Sequence, residues 1–217
     1  RCVPQQTLAL IYSVPLYRVF LLNKRKTDMP MNLPMILTWV RIILIPLVVG
    51  IYFLPETVMS ISMQNWVGAW VFVFAAITDF VDGYLARRWN QTSAFGAFLD
   101  PVADKLMVGA ALIVLVDLGR IGPFIALIII GREITISALR EWMASIGARN
   151  SVAVNWLGKF KTIAQMVAIP MLLANETWMG IDFRLLGTLG IYVAAVLTVW
   201  SMCYYLMKAW PELRARS

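Results

Sequence analysis

The chain has no histidine and only two cysteines, Cys2 and Cys203. Without histidine it cannot form a Ser-His-Asp triad, use a histidine general base or bind zinc through imidazole. Two cysteines so far apart predict neither a metal-binding cluster nor a disulfide framework. The chemistry of this protein therefore has to come from carboxylate, amine, guanidinium and hydroxyl groups.

Charged residues are scarce as well. They make up 14% of the 217 residues, whereas hydrophobic residues make up 60%. A soluble domain usually carries about a quarter charged and under half apolar residues, so the composition predicts an integral membrane protein. The nine Trp, seven Tyr and ten Phe residues suit aromatic belts at the membrane surface. The net charge of +7 could indicate nucleic-acid binding, but the hydrophobicity argues against that interpretation.

Six segments are long and apolar enough to span a membrane, which takes roughly 20 mostly apolar residues. They are residues 33–54, 66–86, 100–117, 122–142, 156–174 and 185–206. If the N-terminus is cytoplasmic, the outer loops contain only Arg120 and Arg184, and the basic residues of the other loops lie inside. We therefore predict an all-α, polytopic membrane protein with six transmembrane helices. Its polar active site is expected at the cytoplasmic side, with both termini in the cytoplasm.

The first part of the chain fits this pattern poorly. The apolar run over residues 7–22 is short and is interrupted by Pro15 and Arg18. A seventh span there would invert the topology, against the distribution of basic residues. We expect residues 1–31 to be an N-terminal extension outside the fold, residues 32–210 to form the membrane domain, and residues 211–217 to be a cytoplasmic tail.

Four aspartates stand at the junction of the second and third predicted spans. Asp79 and Asp82 are three residues apart, and Asp100 and Asp104 are four apart, so each pair shares one helix face. A turn through residues 90–96 would bring the two pairs together. Ionisable groups at membrane depth are costly and usually mark a functional site. Carboxylates suit Mg²⁺ or Mn²⁺, and two such ions can clamp a phosphoryl group, so the pattern predicts a two-metal site.

The residues after the first aspartate pair suit a phosphate-containing ligand. Gly83 and Ala86 lie on or beside the aspartate face and leave room for a bulky ligand near the helix backbone. Arg87 follows and could hold a phosphate through two parallel hydrogen bonds. Metals, small residues and a guanidinium together indicate a site for a nucleotide diphosphate.

Each of these residues also has a purely structural interpretation. Asp100 precedes Pro101 and could cap a helix, and the first aspartate pair could form a buried ion pair with Arg87 or Lys105. Small residues such as Gly96 could have no role other than to permit close helix packing. None of these alternatives accounts for all four carboxylates with the glycines and the arginine between them.

The pattern D-x2-D-G-x2-A-R-x8-G-x3-D-x3-D, from Asp79 to Asp104, resembles the signature of the CDP-alcohol phosphatidyltransferases at every fixed position. This resemblance implies a six-helix membrane fold, a homodimer and a requirement for Mg²⁺ or Mn²⁺. It also implies that the first three aspartates are metal ligands. Asp104 would share the second metal and act as the general base, although spacing alone would allow Asp100.

By the same resemblance, the acceptor hydroxyl attacks the β-phosphorus of a CDP-linked lipid and CMP leaves. The residues expected to contain the nucleotide are Asn32, Thr38, Arg41, Gly83, Ala86, Arg87 and Gly96. For the three residues on the first span, the alternative is helix capping and an internal ion pair.

Basic residues farther along predict the acceptor. Arg132 and Arg140 are eight apart on one side of the fourth predicted span, and Lys159 and Lys161 begin the fifth. Together they would form an anion pocket for an acceptor that carries its own phosphate. They could instead pair with nearby glutamates or with lipid phosphates.

From Asn32 to about Met207 the sequence resembles bacterial family members of the inner membrane. Those members transfer the phosphatidyl group of CDP-diacylglycerol to sn-glycerol 3-phosphate, which yields phosphatidylglycerol phosphate. A cardiolipin synthase of the same fold, with phosphatidylglycerol as acceptor, is the alternative within the family, and an inositol-using homologue is a weaker one. Outside the family, clustered intramembrane acids could serve a cation transporter, but the sequence shows no internal repeat.

Overall fold

The computed structural model describes residues 33–89, 94–146 and 156–214. Within these ranges the chain forms six α-helices and a small hairpin. In chain order they are α1 (Leu33–Ile51), α2 (Ile61–Trp89), α3 (Ala94–Asp117), α4 (Pro123–Ser145), α5 (Trp156–Ala174), β1 (Thr177–Trp178), β2 (Ile181–Asp182) and α6 (Phe183–Arg214). The two short strands pair antiparallel, with Thr177 opposite Asp182. The described part of the protein is therefore all-α apart from this hairpin, as the sequence predicts.

Each predicted span corresponds to one helix, but several helices are longer than the apolar segments. The helices α2 and α6 have 29 and 32 residues. Two stretches, Ile61–Leu85 and Phe183–Trp210, are long and apolar enough to cross a membrane, while Ile36–Ile51 and Phe160–Ala174 are shorter apolar helices. Helices α3 and α4 contain several charged residues, and these lower the hydropathy of any window that includes them.

One structural alternative for Asp100 is wrong. Helix α3 begins at Ala94, so Asp100 and Pro101 lie inside the helix and Asp100 does not cap its N-terminus. Helix α4 does begin at a proline, with Gly122 as the N-cap and Pro123 in the first turn. Proline is tolerated there because the first N–H groups of a helix have no intrahelical partner.

The helices pack through a continuous apolar core. Helix α1 packs against α2 and α3, α2 also packs against α5, and α6 packs against α5 and α4. Phe72, Leu112, Ile129, Ile169 and Leu172 are fully buried in this core. This packing decides which helix faces meet, and therefore which polar residues of α1, α2 and α3 lie together.

Close approach of α5 and α6 depends on a glycine. A Cβ at Gly187 would lie 2.8 Å from Cγ of Leu172 and 3.1 Å from the carbonyl oxygen of Ala168. Small residues at such points let two helix backbones approach each other, as is common between helices in membranes.

Large apolar side chains also cover the outside of the helices. Phe80, Phe124 and Trp200 are 74%, 79% and 64% exposed. Soluble monomers rarely expose large contiguous apolar surfaces, whereas hydrocarbon is a suitable environment for them. This surface agrees with the composition and supports a membrane protein.

Candidate active site

Arg41 of α1 joins the two aspartates of α2. Its Nη1 lies 2.6 Å from Oδ1 of Asp79, and its Nη2 donates a hydrogen bond of 2.6 Å to Oδ2 of Asp82. The side chain of Arg41 is 0% exposed and that of Asp82 is 4% exposed, while that of Asp79 is 37% exposed. Because residues three apart share a helix face, one guanidinium on α1 can contact both carboxylates.

Thr38 extends this contact to α3. It lies one turn before Arg41 on α1, and its Oγ1 donates a hydrogen bond of 2.6 Å to Oδ1 of Asp100. Thr38 is buried, with 1% of its surface exposed. One face of α1 therefore holds carboxylates from both α2 and α3.

Asp104 completes the group. It lies one turn after Asp100 on α3 and is partly buried. It is within electrostatic range of Asp79, of Arg41 and of Glu133 of α4. The structure thus brings all four aspartates of the motif to one region where α1, α2 and α3 meet.

The structure gives both carboxylates of the first aspartate pair a partner other than the sequence-based alternatives, Arg87 and Lys105. That partner is Arg41, while the side chain of Arg87 lies outside the described part of the chain. The alternative of an internal ion pair agrees with the geometry of Arg41, whereas Thr38 lies inside α1 and donates to Asp100. Their expected contact with a nucleotide stays a prediction.

The chemistry of the four carboxylates fits a divalent cation, since hard oxygen ligands are what Mg²⁺ and Mn²⁺ prefer. Asp79 and Asp82 each use one oxygen for Arg41, which leaves the other oxygen outside these ion pairs. Among the described residues, however, no three acidic or thiol groups are close enough to enclose a metal as they stand. A cation at this site therefore requires the carboxylates to rearrange around it.

The other residues expected around the nucleotide are described to different extents. Gly83 is partly buried on α2, next to Asp82, and Gly96 lies in the first turn of α3. Ala86 and Arg87 are in the last turn of α2, but their side chains lie outside what the structure describes. Asn32 is outside the described residues altogether.

Glu133 contacts two of the predicted acceptor-binding residues, Arg132 and Lys161. Lys161 of α5 donates to Oε1 of Glu133, and Nη1 of Arg132 lies 3.4 Å from the same oxygen. Arg132 also donates a hydrogen bond of 3.1 Å to Oγ of Ser201 on α6. Both cations are buried, with Arg132 6% and Lys161 1% exposed. We call the two cations Arg132 and Lys161 the basic cluster.

Tyr205 of α6 connects Arg140 to this cluster. The guanidinium carbon of Arg140 lies 5.5 Å from the centre of the Tyr205 ring, and that of Arg132 lies 6.0 Å from it. These distances are in the range of cation–π attraction. Lys159 lies in the first turn of α5, but its side chain lies outside the described part.

Sequence reasoning did not select Glu133, Ser201 or Tyr205 as site residues. From the sequence, Glu133 is only one of the nearby glutamates with which the basic residues could pair. Ser201 and Tyr205 lie four residues apart in an apolar helix, and their only sequence signal is this shared face.

Glu133 is also the link between the basic cluster and the aspartates, since Asp104 is within its electrostatic range. Beside it, a cavity of about 370 Å³ is lined by residues of α3 and α4 and by Ile45 of α1. Its lining is apolar except for Lys105 and Glu133. The region therefore combines carboxylates, buried cations and an apolar cavity with a charged edge.

Comparison with known proteins identifies the family. A model of the family described as CDP-alcohol phosphatidyltransferase matches residues 31–200. Proteins of Escherichia coli strain K12, Shigella flexneri serotype 5b and Yersinia enterocolitica are each 48% identical over 187 residues, 85% of this chain and 98% of the relative. All three are named CDP-diacylglycerol–glycerol-3-phosphate 3-phosphatidyltransferase. The aspartate motif lies inside the matched region, and this chain belongs to the CDP-alcohol phosphatidyltransferase family.

Proposed function

We propose that this protein transfers the phosphatidyl group of CDP-diacylglycerol to sn-glycerol 3-phosphate and releases CMP. Its relatives of that name are 48% identical and are covered over 98% of their length. The observation that carries the choice of acceptor is the basic cluster, in which two buried cations lie beside the aspartate region. A transporter interpretation has no support from this family, whose members are transferases.

The four aspartates would hold two divalent cations, Mg²⁺ or Mn²⁺. When bound, these ions supply positive charge that offsets the charge of the diphosphate and of the leaving group. Asp104 is the proposed general base. It takes the proton of the acceptor hydroxyl, and the hydroxyl oxygen forms a bond to the β-phosphorus as the bond from that phosphorus to CMP breaks.

The basic cluster, with Arg140 and Lys159, is the proposed site for the phosphate of the acceptor. Buried cations beside a single carboxylate attract a further anion, and arginine suits the geometry of phosphate oxygens. The aspartate and nucleotide residues would lie on the other side of Asp104. The acceptor hydroxyl would then point toward Asp104 while its phosphate contacts Arg132 and Lys161.

The nucleotide part of the donor would lie against Gly83, Ala86, Arg87 and Gly96, near Asn32. Thr38 contacts Asp100 and Arg41 contacts Asp82 in the structure, and both side chains would lie beside the nucleotide. The apolar cavity beside Lys105 is a suitable place for lipid chains close to the reacting phosphate.

In the membrane, we propose that all six helices span the bacterial inner membrane, with both termini and the aspartate site on the cytoplasmic side. The support is the excess of Lys and Arg in the connections that this orientation puts inside. We further propose a homodimer, residues 32–210 as the membrane domain, residues 1–31 as an extension outside it, and residues 211–217 as a cytoplasmic tail.

The test is release of CMP by purified protein supplied with CDP-diacylglycerol and Mg²⁺ or Mn²⁺. Parallel reactions contain glycerol 3-phosphate, phosphatidylglycerol or inositol, and a chelator serves as the control. Release that needs both metal and glycerol 3-phosphate supports the proposal. Release with phosphatidylglycerol instead would favour a cardiolipin synthase and overturn the role given to the basic cluster.

A further inference from the structure

Arg41 of α1 places a positive charge against two carboxylates of α2. We propose that Arg41 is an internal counter-ion for Asp79 and Asp82, and that a divalent cation binding at these carboxylates displaces it. This inference rests on the proposed metal site at the four aspartates. It adds that α1 carries a built-in competitor for that site.

The contacts of Arg41 support this role. A buried guanidinium is stable only if its charge and its hydrogen-bond donors are compensated. Its two terminal nitrogens are compensated by one carboxylate oxygen each, at 2.6 Å. Its Nε and its Nη1, however, have no hydrogen-bond partner within the described ranges, so the contact of Nη1 with Asp79 is an ion pair only. The side chain is thus held by the charges of the two aspartates and leaves two donor nitrogens without hydrogen bonds, which lowers the cost of displacing it.

The carboxylates give the complementary argument. In the present arrangement one oxygen of Asp79 and one of Asp82 are used by the guanidinium, and no three acids within the described residues enclose a metal. A dication placed between these carboxylates would stand next to the guanidinium and be repelled by it. Release of Arg41 removes that repulsion and returns both oxygens to the cation.

Displacement also gives Arg41 a new partner. A diphosphate that arrives with the cations provides oxygen atoms to which a guanidinium can donate two hydrogen bonds. Cation binding would then strengthen nucleotide binding, because Arg41, once displaced by the cation, becomes available to the diphosphate. By thermodynamic linkage, nucleotide binding must then strengthen cation binding by the same free energy.

Thr38 offers an internal contrast on the same helix face. Its hydroxyl donates to Asp100 but carries no charge, so it does not compete with a cation through repulsion. Arg120 offers a second contrast as a partly buried arginine in another environment. It donates to the carbonyl oxygens of Leu172 and Leu173 and to Asn65, near the start of α2.

The experiment measures Mn²⁺ binding by electron paramagnetic resonance on the detergent-purified full chain, without substrate. We expect Arg41→Met to bind Mn²⁺ at least about tenfold more tightly than the unmodified protein, because it removes both a competitor and a like charge. The Mn²⁺ affinity of Arg41→Lys should lie between those of the unmodified protein and Arg41→Met. Arg120→Met should show no such gain, because the contacts of Arg120 are with Leu172, Leu173 and Asn65.

Thermal unfolding in chelator and in Mn²⁺ gives a second readout. Arg41→Met should melt lower than the unmodified protein in chelator, since two carboxylates lose their counter-ion, and should gain more from Mn²⁺. If Arg41→Met does not fold, Arg41→Lys decides the question. Equal or weaker Mn²⁺ affinity in the Arg41 variants overturns this inference alone, whereas absence of Mn²⁺ binding in every protein overturns the proposed metal site as well.

Discussion

Replacing Glu133 with glutamine keeps the size of the side chain but removes the negative charge that faces Lys161 and Arg132. Lys161 is in direct contact with Oε1 of Glu133, and Nη1 of Arg132 lies 3.4 Å from it. Both cations are buried and would lose their ion-pair partner at the same time. We expect the variant to be less stable than the unmodified protein and to bind the phosphate of the acceptor more tightly.

The size of the effect follows from the burial of the pair. Removing one partner of a buried ion pair costs about 3–5 kcal/mol. Because 25% of the Glu133 side chain is exposed, we take the lower end of that range, about 3 kcal/mol. For a domain of this size that is a decrease in Tm of roughly 6–12 °C. Glycerol 3-phosphate should recover part of it, because its phosphate replaces the missing charge.

The assay is thermal unfolding of the purified variant with and without glycerol 3-phosphate, together with KM for that acceptor. The control is Glu141→Gln, which removes an exposed acid from the same helix and should leave Tm within about 1 °C, since exposed charges contribute little. Equal Tm values for the two variants would refute the argument that Glu133 neutralises the basic cluster. A Tm loss that the acceptor does not reduce would refute the phosphate-binding role.

Three further predictions concern the base, the acceptor site and the packing. Asp104→Asn should lower turnover by at least about 100-fold while CDP-diacylglycerol binding persists; turnover near that of the unmodified protein would exclude Asp104 as the base. Lys161→Met should raise KM for glycerol 3-phosphate more than it lowers kcat, and a selective loss of kcat would contradict a binding role. Gly187→Val should cost about 1–3 kcal/mol by unfolding measurements because its side chain would collide with Leu172, whereas Gly131→Ala has open space and should not destabilise.

Hydropathy identified the helices but not their ends. The segment predicted at 66–86 belongs to a helix over Ile61–Trp89, and the one predicted at 100–117 begins at Ala94. A hydropathy pattern reports which residues are apolar, whereas a helix continues through polar residues as long as its backbone hydrogen bonds are made. The helix therefore includes Asp100, which the sequence alone allowed as a cap.

The sequence by itself determined the class of protein, the helix order and the spacing that gives each aspartate pair a common face, because these follow from composition and from the helical repeat. Only the tertiary structure decided that Arg41 contacts Asp79 and Asp82, and that Glu133 contacts Lys161. These partners are separated by 28 to 41 residues. Whether they meet depends on the rotation and depth of each helix against its neighbours, which packing of the whole core sets and no local pattern contains.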